Sequence, residues 1–211
     1  MKLIIVRHGE TQGNRLRQFE SSDNLGGSHL TRTGTLQVKS LAEHLVDYRP
    51  VECIYSSPTA RTRETSEILG RELDSPITIV NELSEINCGE WAGHAIDKIA
   101  ELNPREWKIR KEMPTEFCFP GGEGLRDVEQ RVAPFIDSLL GTPGRGTILL
   151  VSHSTMISVI LAYVCEWNLE QAWRDKRSYH PNSAFSILEF EARNQKLISL
   201  KLANTVHLSH R

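Results

Sequence analysis

Two short apolar runs in this chain end in the same way. Leu3-Ile4-Ile5-Val6 leads into Arg7-His8-Gly9, and Ile148-Leu149-Leu150-Val151 leads into Ser152-His153-Ser154. Unbroken runs rich in β-branched residues mark strands buried on both faces, the situation in a parallel sheet covered by helices. Each run has a histidine just past its carboxyl end. In an open parallel α/β sheet, that edge is where ligands bind. Two histidines from distant parts of the chain are therefore expected to meet in one crevice.

The segments between these runs alternate in character. Val38, Leu41 and Leu45 space out one helical face over residues 32–48, closed by Pro50. Residues 51–55 and 77–80 read as short strands. Ser57-Pro58 reads as an N-cap followed by proline at the first helical position, opening a helix to about Arg71. Further helices are expected over about 95–111, over 122–140 with a bend at Pro134, and from Ser154 to Cys165. Residues 184–190 and 196–202 read as a hairpin turning at Arg193-Asn194-Gln195. The pattern predicts an α/β fold: a single three-layer domain over residues 1–211, with a mainly parallel central sheet flanked by helices. Residues 81–145, irregular and rich in Trp, Gly and Pro, read as a cap-like insertion able to cover the site. Residues 10–31 are polar and Gly-rich and read as a long functional loop.

Bulk properties narrow the function. A net charge of −2 gives no electrostatic case for nucleic acid or an anionic membrane. No apolar stretch approaches the ~20 residues of a membrane span. A strand starting at about Lys2 leaves no room for a signal peptide, and a cytoplasmic location is expected. Cys53, Cys88, Cys118 and Cys165 are scattered without a C-x-x-C pair, so they read as reduced thiols rather than a disulfide frame or a zinc site.

The residues at the crevice suggest an anion. A guanidinium beside an imidazole, as in Arg7-His8, opposes a metal cation and suits phosphate, which takes bidentate arginine contacts. Gly9 permits a tight turn, and Thr11 and Asn14 add polar groups soon after. Arg61 falls near the start of a helix, where a cation opposes the macrodipole by about 0.3–1 kcal/mol. An anion bound there would reconcile its placement. Ser154 and Thr155, at the second strand-to-helix turn, can aim free N–H groups at the same point. The competing reading is ordinary: structural histidines held by carbonyls, and solvated arginines. If phosphate leaves an alcohol, an acid is also needed; Glu82, Glu85 and Glu90 qualify by type, and spacing does not choose among them.

The ordered motifs go further. Val6-Arg7-His8-Gly9-Glu10-Thr11-x-x-Asn14 resembles the signature of the histidine phosphatase superfamily, in its phosphoglycerate mutase-like branch. Leu30-Thr31-x-x-Gly34-x-x-Gln37, Ser56-Ser57-Pro58-x-x-Arg61-x-x-Glu64-Thr65 and Leu83-x-Glu85-x-x-x-Gly89-x-Trp91-x-Gly93 resemble its following blocks. Pro120-Gly121-Gly122-Glu123, Val151-Ser152-His153, Asn182-Ser183-Ala184 and Asn204-Thr205-x-His207-Leu208 extend the resemblance along nearly the whole chain. It implies that His8 is a nucleophile that becomes phosphohistidine. It further implies that Arg7, Arg61 and His153 bind the phosphoryl group, with Asn14 as a further contact, and that Glu85 protonates the leaving oxygen and then activates water. Burial beside Trp91 is expected to raise the Glu85 pKa. Ser154 stands where glycine is common and borders the phosphate pocket. The 15–30 segment is longer than usual and lacks the Q-G pair found near Gln18.

The activity implied is a metal-independent phosphomonoester phosphatase acting on a small phosphorylated metabolite, without a cofactor, in a chain able to form a homodimer. The alternatives are a phosphoglycerate mutase, a non-catalytic phospho-ligand binder, and a metal-dependent hydrolase using His8, His153, Glu85 and His94. His207 is expected to reach the substrate pocket from the tail.

Overall fold

The computed structural model describes residues 1–22, 28–142, 146–191 and 196–208. In chain order these residues form β1 (Lys2–Arg7), α1 (Gln12–Arg15), α2 (Arg32–Leu45), β2 (Val51–Ser56), α3 (Ala60–Leu73) and β3 (Ile77–Ile79). The chain continues through α4 (Ile96–Leu102), α5 (Pro104–Glu112), α6 (Leu125–Leu140), β4 (Thr147–Ser152), α7 (Ser154–Val164), α8 (Leu169–Arg174), β5 (Phe185–Phe190) and β6 (Leu197–Asn204). One six-stranded sheet has the order β3-β2-β4-β1-β5-β6. The first four strands in that order are parallel; β5 pairs antiparallel with β1, and β6 pairs antiparallel with β5. The sheet is therefore mixed, with a parallel half that holds both histidine-bearing strands side by side.

The period-2 alternation of strands sorts the core into two layers. Ile4, Val6, Leu149 and Val151 face α2 and α3 through Val38, Leu41, Leu69 and Leu73. Leu3, Ile5, Ile148 and Leu150 face α6 and α7 through Val132, Ile136, Val159 and Ile160. Every one of these strand residues is fully buried, which explains why the runs are apolar without interruption.

Several expected boundaries shift for local reasons. Helix α3 starts at Ala60 with Thr59 as N-cap, so Ser57 and Pro58 lie in the turn before it. The expected 95–111 helix is two helices, because Asn103 leaves helical conformation ahead of Pro104, which opens α5. Helix α6 begins at Leu125 rather than 122, with Asp127 accepting from the Gly124 N–H. It continues through Pro134. The 10–31 loop contains the one-turn helix α1, closed by a Thr11–Asn14 capping box. The expected hairpin turn at 193–195 lies outside the described residues.

Gly9 and Gly34 mark where the loop after β1 crosses α2. A Cβ at Gly9 would lie 2.6 Å from the Gly34 carbonyl oxygen, so close approach, more than a tight turn, requires glycine there. A Cβ at Gly34 would lie 2.1 Å from the Glu10 carbonyl oxygen. Alanine inside a helix ordinarily stabilises relative to glycine by about 0.5–1 kcal/mol. Gly34→Ala should instead destabilise, by about 1–3 kcal/mol from overpacking. The expected fall in thermal midpoint is about 2–4 °C per kcal/mol. A midpoint equal to or above the parent's would contradict the crossing.

Candidate active site

The parallel ladder carries both histidines to one place. The His8 N–H donates to the Ser152 carbonyl at 3.1 Å, so the chain after β1 stays zipped to the end of β4. The two imidazoles end 5.2 Å apart between ring centres, in edge contact. Both rings are buried. The crevice is a cavity of about 670 Å³, lined in part by Arg7, His8, Asn14, Arg61, Glu85 and Ser154; His153 is not in its wall but fully buried, in ring contact with His8.

His8 is oriented by its own backbone. Its Nδ1 lies 2.8 Å from the Gly9 carbonyl oxygen, which can only accept, so Nδ1 carries the proton and Nε2 keeps a lone pair. Burial holds this imidazole well below its ordinary value, with Arg61 and Arg7 as the next causes. His153, the N-cap of α7, is neutral for the same reasons: burial first, then Arg61. Its Nδ1 accepts from Arg61 Nε at 3.3 Å, which places its proton on Nε2, 2.7 Å from the Ser57 hydroxyl. Both nitrogens of His153 are thus engaged within the protein, and a phosphoryl oxygen would have to replace Ser57 at Nε2.

The arginines are held by one end and left open at the other. Arg61 lies in the first turn of α3 and is 1% exposed. Its Nη1 and Nη2 are buried without a hydrogen-bond acceptor. A buried guanidinium with open donors costs several kcal/mol unless an anion meets it. Arg7 Nη1 donates to the His180 carbonyl at 2.7 Å, and its Nε is likewise buried without an acceptor. Two fixed positive charges with unmet N–H groups beside a neutral imidazole form an anion site.

Of the three candidate glutamates, Glu85 is the one the fold places in the cavity. Glu82 and Glu90 are exposed, whereas Glu85 is 8% exposed and lines the cavity. Its carboxylate accepts from the N–H groups of Ile86 (2.9 Å), Met156 (3.2 Å) and Thr155 (3.3 Å). Of the two N–H groups expected to be free at the start of α7, that of Thr155 goes to Glu85, joined by Met156 and not by Ser154. Burial raises its pKa, against the opposing pull of the Ile86 N–H, Arg61, the Thr155 N–H and Arg7. Trp91 is not its neighbour in the cavity wall. That ring packs behind Phe19 and Phe119, which face the cavity in its place.

Some contributors were not singled out in the sequence. Arg131 donates to the carbonyls of Glu82 (2.8 Å) and Ser84 (3.1 Å), and pairs with Glu123 at 3.0 Å. Glu123 in turn accepts from the Asn87 N–H at 2.8 Å, so the pair clamps the loop that carries Glu85. The Pro-Gly-Gly-Glu motif was the available signal for it. Glu20 accepts from Asn14 Nδ2 at 2.6 Å and from the Thr11 and Ser28 hydroxyls. Asn182 donates to Asn14 Oδ1 at 2.6 Å. The Asn14 amide is thus held from both sides by protein. Arg110, Trp173 and Tyr179 also line the cavity, with no sequence signal.

Two expected residues lie elsewhere. His94 is exposed and outside the cavity wall, so the quartet of His8, His153, Glu85 and His94 is not assembled. Among the described residues no cluster of three or more His, Cys, Asp or Glu side chains could hold a metal ion. His207 packs on the α2 side of the sheet, its ring 5.8 Å from that of Phe185, and burial lowers its imidazole to about 4. It does not reach the cavity, because its 3-10 turn is pinned to α2 by the Ser40 hydroxyl donating to its carbonyl.

The neutral tautomers give a direct check. Below pH ~6.5 the unfolded chain binds protons that the folded His8 and His153 refuse, so stability falls as pH drops beneath that value. Ring-nitrogen NMR at pH ~6 should show both imidazoles neutral, His8 protonated on Nδ1 and His153 on Nε2. A doubly protonated ring at either position would refute the assignment.

Comparison with known proteins agrees with this geometry. The model of the histidine phosphatase superfamily (branch 1) matches residues 3–203. Phosphoserine phosphatase 1 of Hydrogenobacter thermophilus is 28% identical over 208 residues, covering 99% of this chain and 94% of that protein. The probable phosphoglycerate mutase GpmB of Salmonella choleraesuis is 27% identical, covering 90% and 86%. Among solved structures, Bacillus stearothermophilus YhfR superposes with a TM-score of 0.82 at 26% identity, covering 93% of this chain and 94% of that one. The α-ribazole phosphatase of Shigella flexneri shares the fold, with a TM-score of 0.83 at 22% identity and 97% of each chain covered. With the family match spanning nearly the whole chain, and the strand-end histidines meeting beside two arginines, this chain belongs to the histidine phosphatase superfamily, branch 1.

Proposed function

We propose that the protein is a metal-independent phosphomonoester phosphatase that acts on a small phosphorylated metabolite through a phosphohistidine on His8. One observation carries it: His8 Nε2 keeps its lone pair because Nδ1–H is held by Gly9, and it does so beside the open donors of Arg61. In the first step the Nε2 lone pair attacks phosphorus, the bond from phosphorus to the ester oxygen breaks, and Glu85 gives its proton to that oxygen. In the second step Glu85 takes a proton from water, the water oxygen attacks phosphorus, and the bond to Nε2 breaks with its electron pair returning to the ring. Arg7 and Arg61 meet the charge that spreads over the equatorial oxygens. His153 orients Arg61 and lends its Nε2–H when a phosphoryl oxygen replaces Ser57. Asn14 and the Ser154 backbone complete the cradle. Fixed guanidinium charges supply the electrostatics that a metal would supply in other phosphatases.

Residues 81–145 act as the cap in this scheme, since Glu85, Ile86, Ile96, Arg110 and Phe119 come from them and line the cavity. Four free thiols fit a reducing cytoplasm. A homodimer would find an open sheet edge at β6.

Hydrolysis is favoured by the phosphatase names among relatives; the GpmB likeness keeps mutase activity as the second reading. Phosphate release from p-nitrophenyl phosphate, set against 3-phosphoglycerate isomerisation primed with 2,3-bisphosphoglycerate, separates the two. Full phosphatase activity should persist in EDTA. His8→Ala should abolish both turnover and acid-labile ³²P labelling, and labelling that survived would sink the nucleophile assignment. Glu85→Gln should cost about 10²–10⁴-fold with alkyl phosphates, whose leaving oxygen needs a proton, and much less with p-nitrophenol as leaving group. Equal losses on both would remove Glu85 as the acid.

A further inference from the structure

One wall of the cavity carries a charge that phosphoryl transfer does not use. Arg110 extends from α5 into the cavity that holds His8 and Glu85. Its guanidinium carbon lies 5.2 Å from the ring centre of Trp107, 5.5 Å from Phe19, 5.8 Å from Phe119 and 6.0 Å from Trp173. Among the described residues no carboxylate or carbonyl pairs with it. Aromatic faces compensate a cation only in part, and desolvating an unpaired guanidinium is costly. They do fix its plane, which leaves the N–H fork pre-set for a planar anion.

Its position is at the leaving-group end of the site. The N–H groups of Ile86 and Thr155 hold the Glu85 carboxylate. Ile86 and Thr155 also border a small adjoining cavity together with Arg110. Glu85 is the group that meets the leaving oxygen, so Arg110 stands beside the path of the alcohol portion. The balance of charge points the same way. Five cationic side chains and two acidic ones line the cavity. Arg17 is paired with Asp97 at 3.0 Å, and Arg7 and Arg61 serve the phosphoryl group. Arg110 and Lys176 remain without an anion in the cavity.

We propose that Arg110 is a specificity-determining residue that binds a carboxylate on the alcohol part of the substrate, so that the preferred substrates are phosphomonoesters of hydroxy acids. This rests on the phosphatase function proposed above. Lys176, exposed at the cavity rim, adds attraction without orientation.

The test uses matched pairs that differ only by the carboxylate. 3-Phosphoglycerate is compared with glycerol 3-phosphate, and O-phosphoserine with O-phosphoethanolamine, as ratios of kcat/KM. The expected preference for the carboxylate member is more than about tenfold in at least one pair, as for a charge-assisted bidentate contact. In Arg110→Met that ratio should fall to within about threefold of one, whatever happens to the absolute rates. Ratios near one in the wild-type protein for both pairs would overturn the proposal, with no variant needed. A preference that survives in Arg110→Met would overturn the assignment to Arg110. If p-nitrophenyl phosphate is hydrolysed while the ratios are flat, the specificity claim alone has failed. If no phosphomonoester is hydrolysed, the phosphatase reading fails and this proposal with it.

Discussion

The hydrogen bond from Arg61 Nε to His153 Nδ1 is the contact on which the site depends. It joins the first turn of α3 to the N-cap of α7, two elements that follow parallel neighbours β2 and β4. It uses the guanidinium Nε and leaves the buried Nη1 and Nη2 without an acceptor. It also fixes the His153 tautomer, and through Ser57 the turn that starts α3. The same bond sets Arg61 beside both imidazoles, where its charge adds to burial in lowering them.

Such a concentration of unpaired positive charge is unstable in isolation, and the fold counters it from three directions. Strand pairing locks the backbone on both sides of His8, with Arg7 N–H donating to Ala184 and His8 N–H to Ser152. Glu20 and Glu85 lie close enough to favour the arginine charges electrostatically without closing ion pairs on them. Glu85 is itself occupied by three backbone N–H groups, which keeps it from collapsing onto Arg61. Opposed influences act on its carboxyl: burial raises its pKa, and the Ile86 and Thr155 N–H groups with Arg61 and Arg7 limit the rise.

The legible parts of the sequence were those set by local periodicity or by strand ends. The runs at 3–6 and 148–151 predicted paired buried strands, because burial on both faces demands unbroken apolar residues. The placing of His8 and His153 was legible for the same reason, since each directly follows a parallel strand, whereas Arg61 was singled out by the motif resemblance more than by its position. Less legible were positions decided by competition between neighbours. Ser57 has the chemistry of an N-cap, yet Thr59 caps α3 and the Ser57 hydroxyl is drawn to His153. The choice of Glu85 over Glu82 and Glu90 depends on which face of an irregular loop Arg131 and Glu123 turn inward, a contact spanning more than forty residues. No local pattern encodes that.

Glu20 poses the sharpest physical question, because an acid borders a site built for an anion. Its oxygens are held by the Thr11 and Ser28 hydroxyls and by the Asn14 amide, and the Asn14 carbonyl oxygen is held by Asn182. A phosphoryl group that used Asn14 would have to draw the amide away from a carboxylate, a charge-assisted bond worth about 1.5–3 kcal/mol. The exchange is favourable only if the incoming group also satisfies Arg61, whose open donors cost more than that bond returns. Asn14 is therefore committed on both sides, to Glu20 through its amide nitrogen and to Asn182 through its amide oxygen. An anion with several oxygens, such as a phosphoryl group, has the acceptors to meet Arg7 and Arg61 together.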